Sequence, residues 1–417
     1  MKNFFKSKIA SNLFSLTSAE IASRMLGFFT LVYLGRILDK SGFGIIGFAA
    51  ALVSYFILAV NFGFSTYGTR EIAKDPRMIS KYVNNIFSIR IALAIFLSLF
   101  LLFYVLISDK SAVTKYVVLI TGLNLFTNAF ALNWVFQAVE KMQYIAIRQI
   151  LSGLFSLIGV WIFVHSPNDV MIAASILAIS ALVGNIWFIP IYQRMYAKIK
   201  LEFSIEFWKE LFKESFPLAF ASIMIGIYYN LDMVMLGYMK PESDVGIYNA
   251  AYKIFLLGLV PIQLIFSAYF PTLSRIGLCK SQEFKDTMKN YGKFVIGLGV
   301  ITGLFLLIFS ERIILLVFSE SYLASSTPLS ILSINVIVIS INVFLGNPMT
   351  AWGKQREYAV AIMFGAISNI ILNFILIPKY SYIGAAYATV LSEVAVFIGL
   401  FYLFNKFTAG LFRKNSA

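Results

Sequence analysis

Charge is scarce in this sequence. Charged residues make up 13% of 417 and hydrophobic residues 59%, whereas a soluble globular chain carries about 25% charged residues. So little polar material excludes an ordinary water-facing surface, and the bilayer is the natural solvent. Cysteine occurs once, at Cys279, which excludes an internal disulfide and a cysteine-cluster metal site. Histidine also occurs once, at His165, which excludes a histidine-rich metal or catalytic site. No GxxxxGK[ST] stretch is present, so direct use of ATP is not expected. No cofactor is expected. No terminal segment reads as cleavable, because the basic start MKNFFKSKIAS runs into a long apolar stretch without a small-residue cleavage site.

What is present is a series of apolar runs. Crossing a hydrocarbon core takes roughly 20 apolar residues, and about twelve runs meet that length. They fall at 12–36, 43–66, 83–107, 116–138, 145–165, 170–191, 216–239, 246–270, 292–310, 328–350, 359–378 and 383–404. The expected fold class is an all-α integral membrane protein. Net charge is +14, and the basic residues cluster in alternate connections: Lys2 to Lys8, Arg70 to Lys81, Arg194 to Lys213 and Arg275 to Lys293. The positive-inside rule puts those connections and both termini in the cytoplasm, and nucleic acid is not an expected partner. Two segments, Leu201 to Ser215 and the RIILLVF stretch inside Ser310 to Thr327, read as short interfacial helices.

The chain also repeats itself. YLGRILDKSGFGIIGFAA from Tyr33 parallels MLGYMKPESDVGIYNAAY from Met235, which pairs Gly35 with Gly237 and Gly44 with Gly246. A weaker echo links EKMQYIA from Glu140 to GKQREYAV from Gly353. The pattern predicts two six-helix halves, 1–205 and 206–417, in the same orientation. Internal repeats of this kind are a transporter feature, with substrate held between the halves.

The few charges inside spans are the functional candidates, since a charge near a helix centre costs about 2.5–3.5 kcal/mol. Asp232 and Lys253 lie at similar depth, roughly 10–12 Å from the outer ends of neighbouring antiparallel spans. They are expected to pair, in a structural or a gating role. Glu20 and Arg24 share a helical face by their i, i+4 spacing. Arg24 reads as lining a cavity, because one carboxylate cannot use five guanidinium donors. Arg90 and Arg148 read as snorkelling to the cytoplasmic end. Glu393 sits mid-span and is open to pairing or to carrying a proton. Asn124 with Asn128, and Asn369 with Asn373, each present amides on one face. They are candidates for sugar hydroxyls in a cavity or for interhelical hydrogen bonding.

These residues resemble a known family. LGRILDKSGFGIIGFAAALVSYF, NFGFSTYGTREIAKD, the run from Asp232 to Gly237, GIYNAAYK up to Lys253, and GAAYAT from Gly384 followed by Glu393 are similar to the O-antigen and polysaccharide flippases. Those belong to the multidrug/oligosaccharidyl-lipid/polysaccharide (MOP) exporter superfamily. The resemblance implies twelve transmembrane helices in two six-helix bundles of a V-shaped transporter, and no enzymatic activity. It implies a lipid-linked substrate, an undecaprenyl-pyrophosphate-linked glycan, received in a cationic cavity where Arg24 and Lys253 contact the diphosphate. It also implies H+ or Na+ coupling, with Glu20, Asp232 and Glu393 as coupling or gating candidates. A bacterial inner-membrane location follows, with a polysaccharide polymerase and a chain-length regulator as partners. The competing readings are a peptidoglycan-precursor flippase, a drug exporter, and a membrane polymerase or glycosyltransferase.

Overall fold

The computed structural model describes residues 8–279 and 281–409, with side chains described from residue 21 onward except at 221. The described residues divide into two compact units, Met1–Gly226 and Ile227–Ala417. The first holds α1 (Lys8–Ile37), α2 (Asp39–Asn61), α3 (Phe64–Lys74), α4 (Ile79–Ile107), α5 (Ala112–Gly122), α6 (Asn124–Ala129) and α7 (Asn133–Ala138). It continues with α8 (Met142–Phe163), α9 (Val170–Ile186) and α10 (Phe188–Met195), and α11 (Ile205–Met239) passes from it into the second. The second adds α12 (Glu242–Ile276), α13 (Gln282–Val317), α14 (Ser326–Ala351) and α15 (Gln355–Thr408).

Among the described residues nine helical stretches are long and apolar enough to cross a membrane, or ten if the bent pair Ile205–Phe220 and Ser222–Met239 forms one span. The spans expected at 359–378 and 383–404 lie in a single 54-residue element, α15, interrupted by non-helical backbone at Ser381. A methyl group at Gly384 would overlap the Leu376 carbonyl, so the chain folds back tightly there. The RIILLVF stretch is not a separate interfacial helix. It completes α13 as far as Val317, and a 3-10 turn over Glu320–Ser325 follows.

Leu201 to Ser215 also departs from expectation. Phe207 and Leu211 are buried in a cluster with Phe64, Tyr82, Trp134, Phe136, Phe188 and Tyr192. Protein therefore covers Phe207 and Leu211, while Leu201, Phe203 and Ile205 stay exposed. The polar side is fastened as well. Glu202 accepts from the side-chain amides of Asn84, at 2.8 Å, and Asn85, at 2.9 Å. Its own N–H donates to Ser88 Oγ, and Trp208 Nε1 donates to Asn85 Oδ1. In the nearby turn the Arg77 guanidinium, 2.9 Å from Asp75, holds that carboxyl below the usual carboxylate range.

The two echoed stretches after α7 and α14 turn the chain in the same way. At the end of α7 the Lys141 N–H donates to the Phe136 carbonyl at 2.8 Å, and Glu140 adopts φ 57°. At the end of α14 the Lys354 N–H donates to the Met349 carbonyl at 2.8 Å, and Gly353 adopts φ 73°. Both are Schellman-type ends, in which a left-handed residue turns the chain back on its last carbonyls. Gly44 and Gly246 are likewise both buried in the second turns of α2 and α12.

The two units are not copies in every element. The stretch α5 to α7 is broken twice where α14 is continuous, at Leu123 and at residues 130–132. Within a bilayer each carbonyl freed by a break needs a donor. The donors are side chains: Asn128 Nδ2 to Asn124 O, Asn185 Nδ2 to Thr127 O, Arg90 Nη1 to Ala131 O and Thr69 Oγ1 to Trp134 O.

Candidate functional site

Asp232 is 3% exposed in α11, so a carboxylate at this place must be satisfied by protein. Four side chains do so. Asn369 Nδ2 and Asn373 Nδ2 donate to Oδ1 at 3.0 and 2.5 Å. The Tyr248 hydroxyl lies 2.8 Å and the Thr389 hydroxyl 2.6 Å from Oδ2. The ligands come from α12 and from both limbs of α15, so one carboxylate ties three elements of the second unit together. The i, i+4 spacing of Asn369 and Asn373 is what lets both amides reach one oxygen. Asn373 also donates to Asn369 Oδ1 at 3.0 Å, which leaves its own buried Oδ1 without a partner.

The expected pairing of Asp232 with Lys253 is not made. At the height of Asp232, α12 presents Tyr248. Lys253 is five residues further on, about 140° around the helix and one and a half turns along it. Lys253 is half-buried, and no hydrogen bond or ion pair to it occurs among the described residues. Its neighbour Tyr252 donates to the Tyr229 carbonyl at 2.9 Å.

Glu393 is 6% exposed, one turn beyond Thr389 on the same face of α15. Asn342 Nδ2 donates to its Oε2 at 2.6 Å and to its main-chain carbonyl at 3.0 Å. Asn342 Oδ1 is buried without a partner, and so is the Tyr228 hydroxyl.

The remaining candidates are placed as follows. Arg24 is exposed on α1, and the side chain of Glu20 lies outside the described residues. Asn124 and Asn128 flank the breaks in the fourth span. Asn128 Nδ2 donates to the Asn124 carbonyl, Asn128 Oδ1 faces Asn61 at 3.5 Å, and Asn124 Oδ1 lies 3.2 Å from Thr127 Oγ1. Arg90 does not snorkel. It is 1% exposed, with Nη2 on Ser65 Oγ at 2.6 Å and Nη1 on the Ala131 carbonyl at 3.3 Å. The broken helices offer it carbonyl and hydroxyl acceptors inside the bundle, so it has no need to reach water. Arg148 is half-buried and faces Asn185 Oδ1 at 3.4 Å instead of extending to the surface. Sequence reasoning missed Tyr248, Thr389, Asn342 and Tyr228. The i, i+4 spacing of Thr389 and Glu393 was the one available signal.

The chain matches known proteins over most of its length. It is 24% identical over 392 residues to a "Putative O-antigen transporter" of Shigella dysenteriae, covering 92% of this chain and 97% of the relative. It is 25% identical over 405 residues to another "Putative O-antigen transporter", from Escherichia coli K12, covering 94% and 96%. To the "Capsular polysaccharide biosynthesis protein CapF" of Staphylococcus aureus it is 23% identical over 393 residues, covering 93% and 97%. Among solved structures it resembles the lipid II flippase MurJ with TM-score 0.75 at 18% identity, over 94% of this chain and 90% of that one. An inward-facing MATE transporter of the MOP superfamily gives 0.74 at 14%, over 95% and 96%. These two likenesses show the fold alone. A MatE model matches residues 217–375. The model described as "Polysaccharide biosynthesis protein" matches residues 9–277, and the chain belongs to that family.

Proposed function

We propose that this protein is a flippase that moves an undecaprenyl-pyrophosphate-linked oligosaccharide, the repeat unit of an O-antigen or related surface polysaccharide, from the inner to the outer leaflet of the bacterial cytoplasmic membrane. The relatives matched along nearly their whole length carry names from O-antigen transport and capsular polysaccharide biosynthesis. The observation that carries the reading is Lys253. A half-buried ammonium inside a span, without a hydrogen bond or ion pair among the described residues, needs an anion or water from elsewhere. A diphosphate supplies such an anion. Arg24 adds a guanidinium whose fork matches phosphate oxygens. A cation exporter would favour the opposite charge. The basic clusters favour a cytoplasmic location for both termini by the positive-inside rule. The exported unit then passes to a polymerase and its chain-length regulator. Transport is coupled to an H+ or Na+ gradient through the buried carboxylates of the second unit, Asp232 and Glu393.

Complementation tests this. A host lacking its own polysaccharide flippase receives the wild-type gene, Arg24→Ala or Lys253→Ala, and surface polysaccharide is scored at matched protein levels. Export by the wild type, with loss in both folded variants, is the expected result. Export unimpaired in both variants would remove the cationic path. Failure of the wild type with every glycan offered would overturn the substrate class.

A further inference from the structure

The two buried carboxylates of the second unit have opposite hydrogen-bonding environments: Asp232 is fully provided with donors and Glu393 is not. Asp232 is surrounded by groups that give hydrogen bonds: two amide nitrogens on Oδ1 and two hydroxyls near Oδ2. Glu393 is almost as deeply buried but receives one amide N–H on Oε2, while no hydrogen bond to Oε1 occurs among the described residues. An ionised carboxylate in that setting bears several kcal/mol of desolvation that a single neutral donor does not offset.

The groups around Glu393 complete the picture. From α14 comes Asn342, whose Oδ1 is a buried acceptor without a donor. From α11 come Tyr228 and Tyr229, and from the first limb of α15 comes Tyr358. The Tyr228 ring lies beside Ser392, and its hydroxyl is a second buried group without a partner. No lysine or arginine makes an ion pair with Glu393 among the described residues. A proton on Glu393 would give it a donor, and the Tyr228 hydroxyl is there to accept it.

We infer that Glu393 is the proton-binding station of the second unit, occupied in this conformation and held by Asn342 and Tyr228. Thr389 and Glu393 are one turn apart on α15, about 6 Å along its axis. A change at Glu393 is thereby passed to the helix face that holds Asp232. This deepens the coupling reading above and rests on it for the proton's role in transport. The protonation state itself is tested without any glycan.

The test is difference infrared spectroscopy of the full-length protein in lipid vesicles, titrated from acid to alkaline pH in H2O and D2O. The wild type is expected to show a protonated-carboxyl C=O band that shifts in D2O. Glu393→Gln, near-isosteric and able to keep the Asn342 contact, is expected to lose it. Asp232→Asn is expected to retain it, and Asn342→Leu to retain it at a shifted frequency. A band that persists in Glu393→Gln, disappears only in Asp232→Asn, or is missing from the wild type at every pH overturns the assignment. Complementation failing with the band present would instead count against the substrate reading alone.

Discussion

Asn373 donates its side-chain amide to Asp232 across 2.5 Å, and both residues are buried. This contact joins a position in α11 to one in α15, so the carboxylate works first as a joint of the second unit. A hydrogen bond to a charged group contributes about 1.5–3 kcal/mol. Asn373→Leu and Asn369→Leu are each expected to lower stability by roughly that amount. Because they share one acceptor, the double variant should cost less than the sum. Denaturant unfolding in detergent measures all three. Strict additivity would show that the two amides do not act on a common carboxylate.

Arg90 makes a separate case in the first unit. Its guanidinium reaches Ser65 at the start of α3 and Ala131 in the break before α7. A lysine has no planar fork and cannot serve both at once. Arg90→Lys is expected to lose one of two charge-assisted bonds, about 1.5–3 kcal/mol, and Arg90→Leu to lose both. Thermal unfolding of the purified variants reads the order. Equal stability of wild type and Arg90→Lys would mean that the second bond contributes nothing.

The Arg90 result shows where the sequence stops being legible. Charges in apolar runs marked Asp232, Glu393 and Lys253 as unusual, and span lengths marked the fold class. The breaks at Leu123 and near Ala131 leave only a faint trace in hydropathy: this stretch has a mean hydropathy of 1.3, lower than the other eight, yet still reads as one continuous span. Without the breaks, an arginine two turns from a helix end has water as its natural partner. The same limit hid the partner of Asp232. Spacing shows that Asn369 and Asn373 share a face, but the rotation of α15 that aims this face at α11 is set by packing between helices. That rotation turns two candidate sugar contacts into ligands of a carboxylate.

The Glu202 network predicts a measurable strap. Asn84 and Asn85 both donate to this carboxylate and fasten the stretch leading into α11 onto α4. Glu202→Ala leaves the buried Asn84 amide without an acceptor, while Asn85 keeps its bond to the Lys81 carbonyl, and removes bonds of about 1.5–3 kcal/mol each. Local opening of the strap should rise at least ~10-fold, read as faster tryptic cleavage at Lys198 and Lys200. Glu202→Gln keeps one acceptor oxygen and should fall between the two. Unchanged cleavage in Glu202→Ala would mean that the cluster around Phe207 and Leu211 holds the strap alone.

The repeated turn allows a test by sign. Gly353 sits at φ 73°, and a Cβ there would meet nothing within 4 Å. Gly297 also has open space around it but lies inside the continuous helix α13. Alanine at either site removes unfolded-state freedom, worth about 0.4–1 kcal/mol in its favour. At Gly353 the left-handed backbone imposes a cost of roughly 1–2 kcal/mol that outweighs this gain. At Gly297 the helical backbone suits alanine and the gain remains. Gly353→Ala should therefore lower the melting temperature and Gly297→Ala should leave it unchanged or raise it. Since the space available is the same, opposite signs would come from backbone conformation alone. Matching shifts would show that the turn relaxes to accept a side chain, as its counterpart at Glu140, with φ 57°, already does.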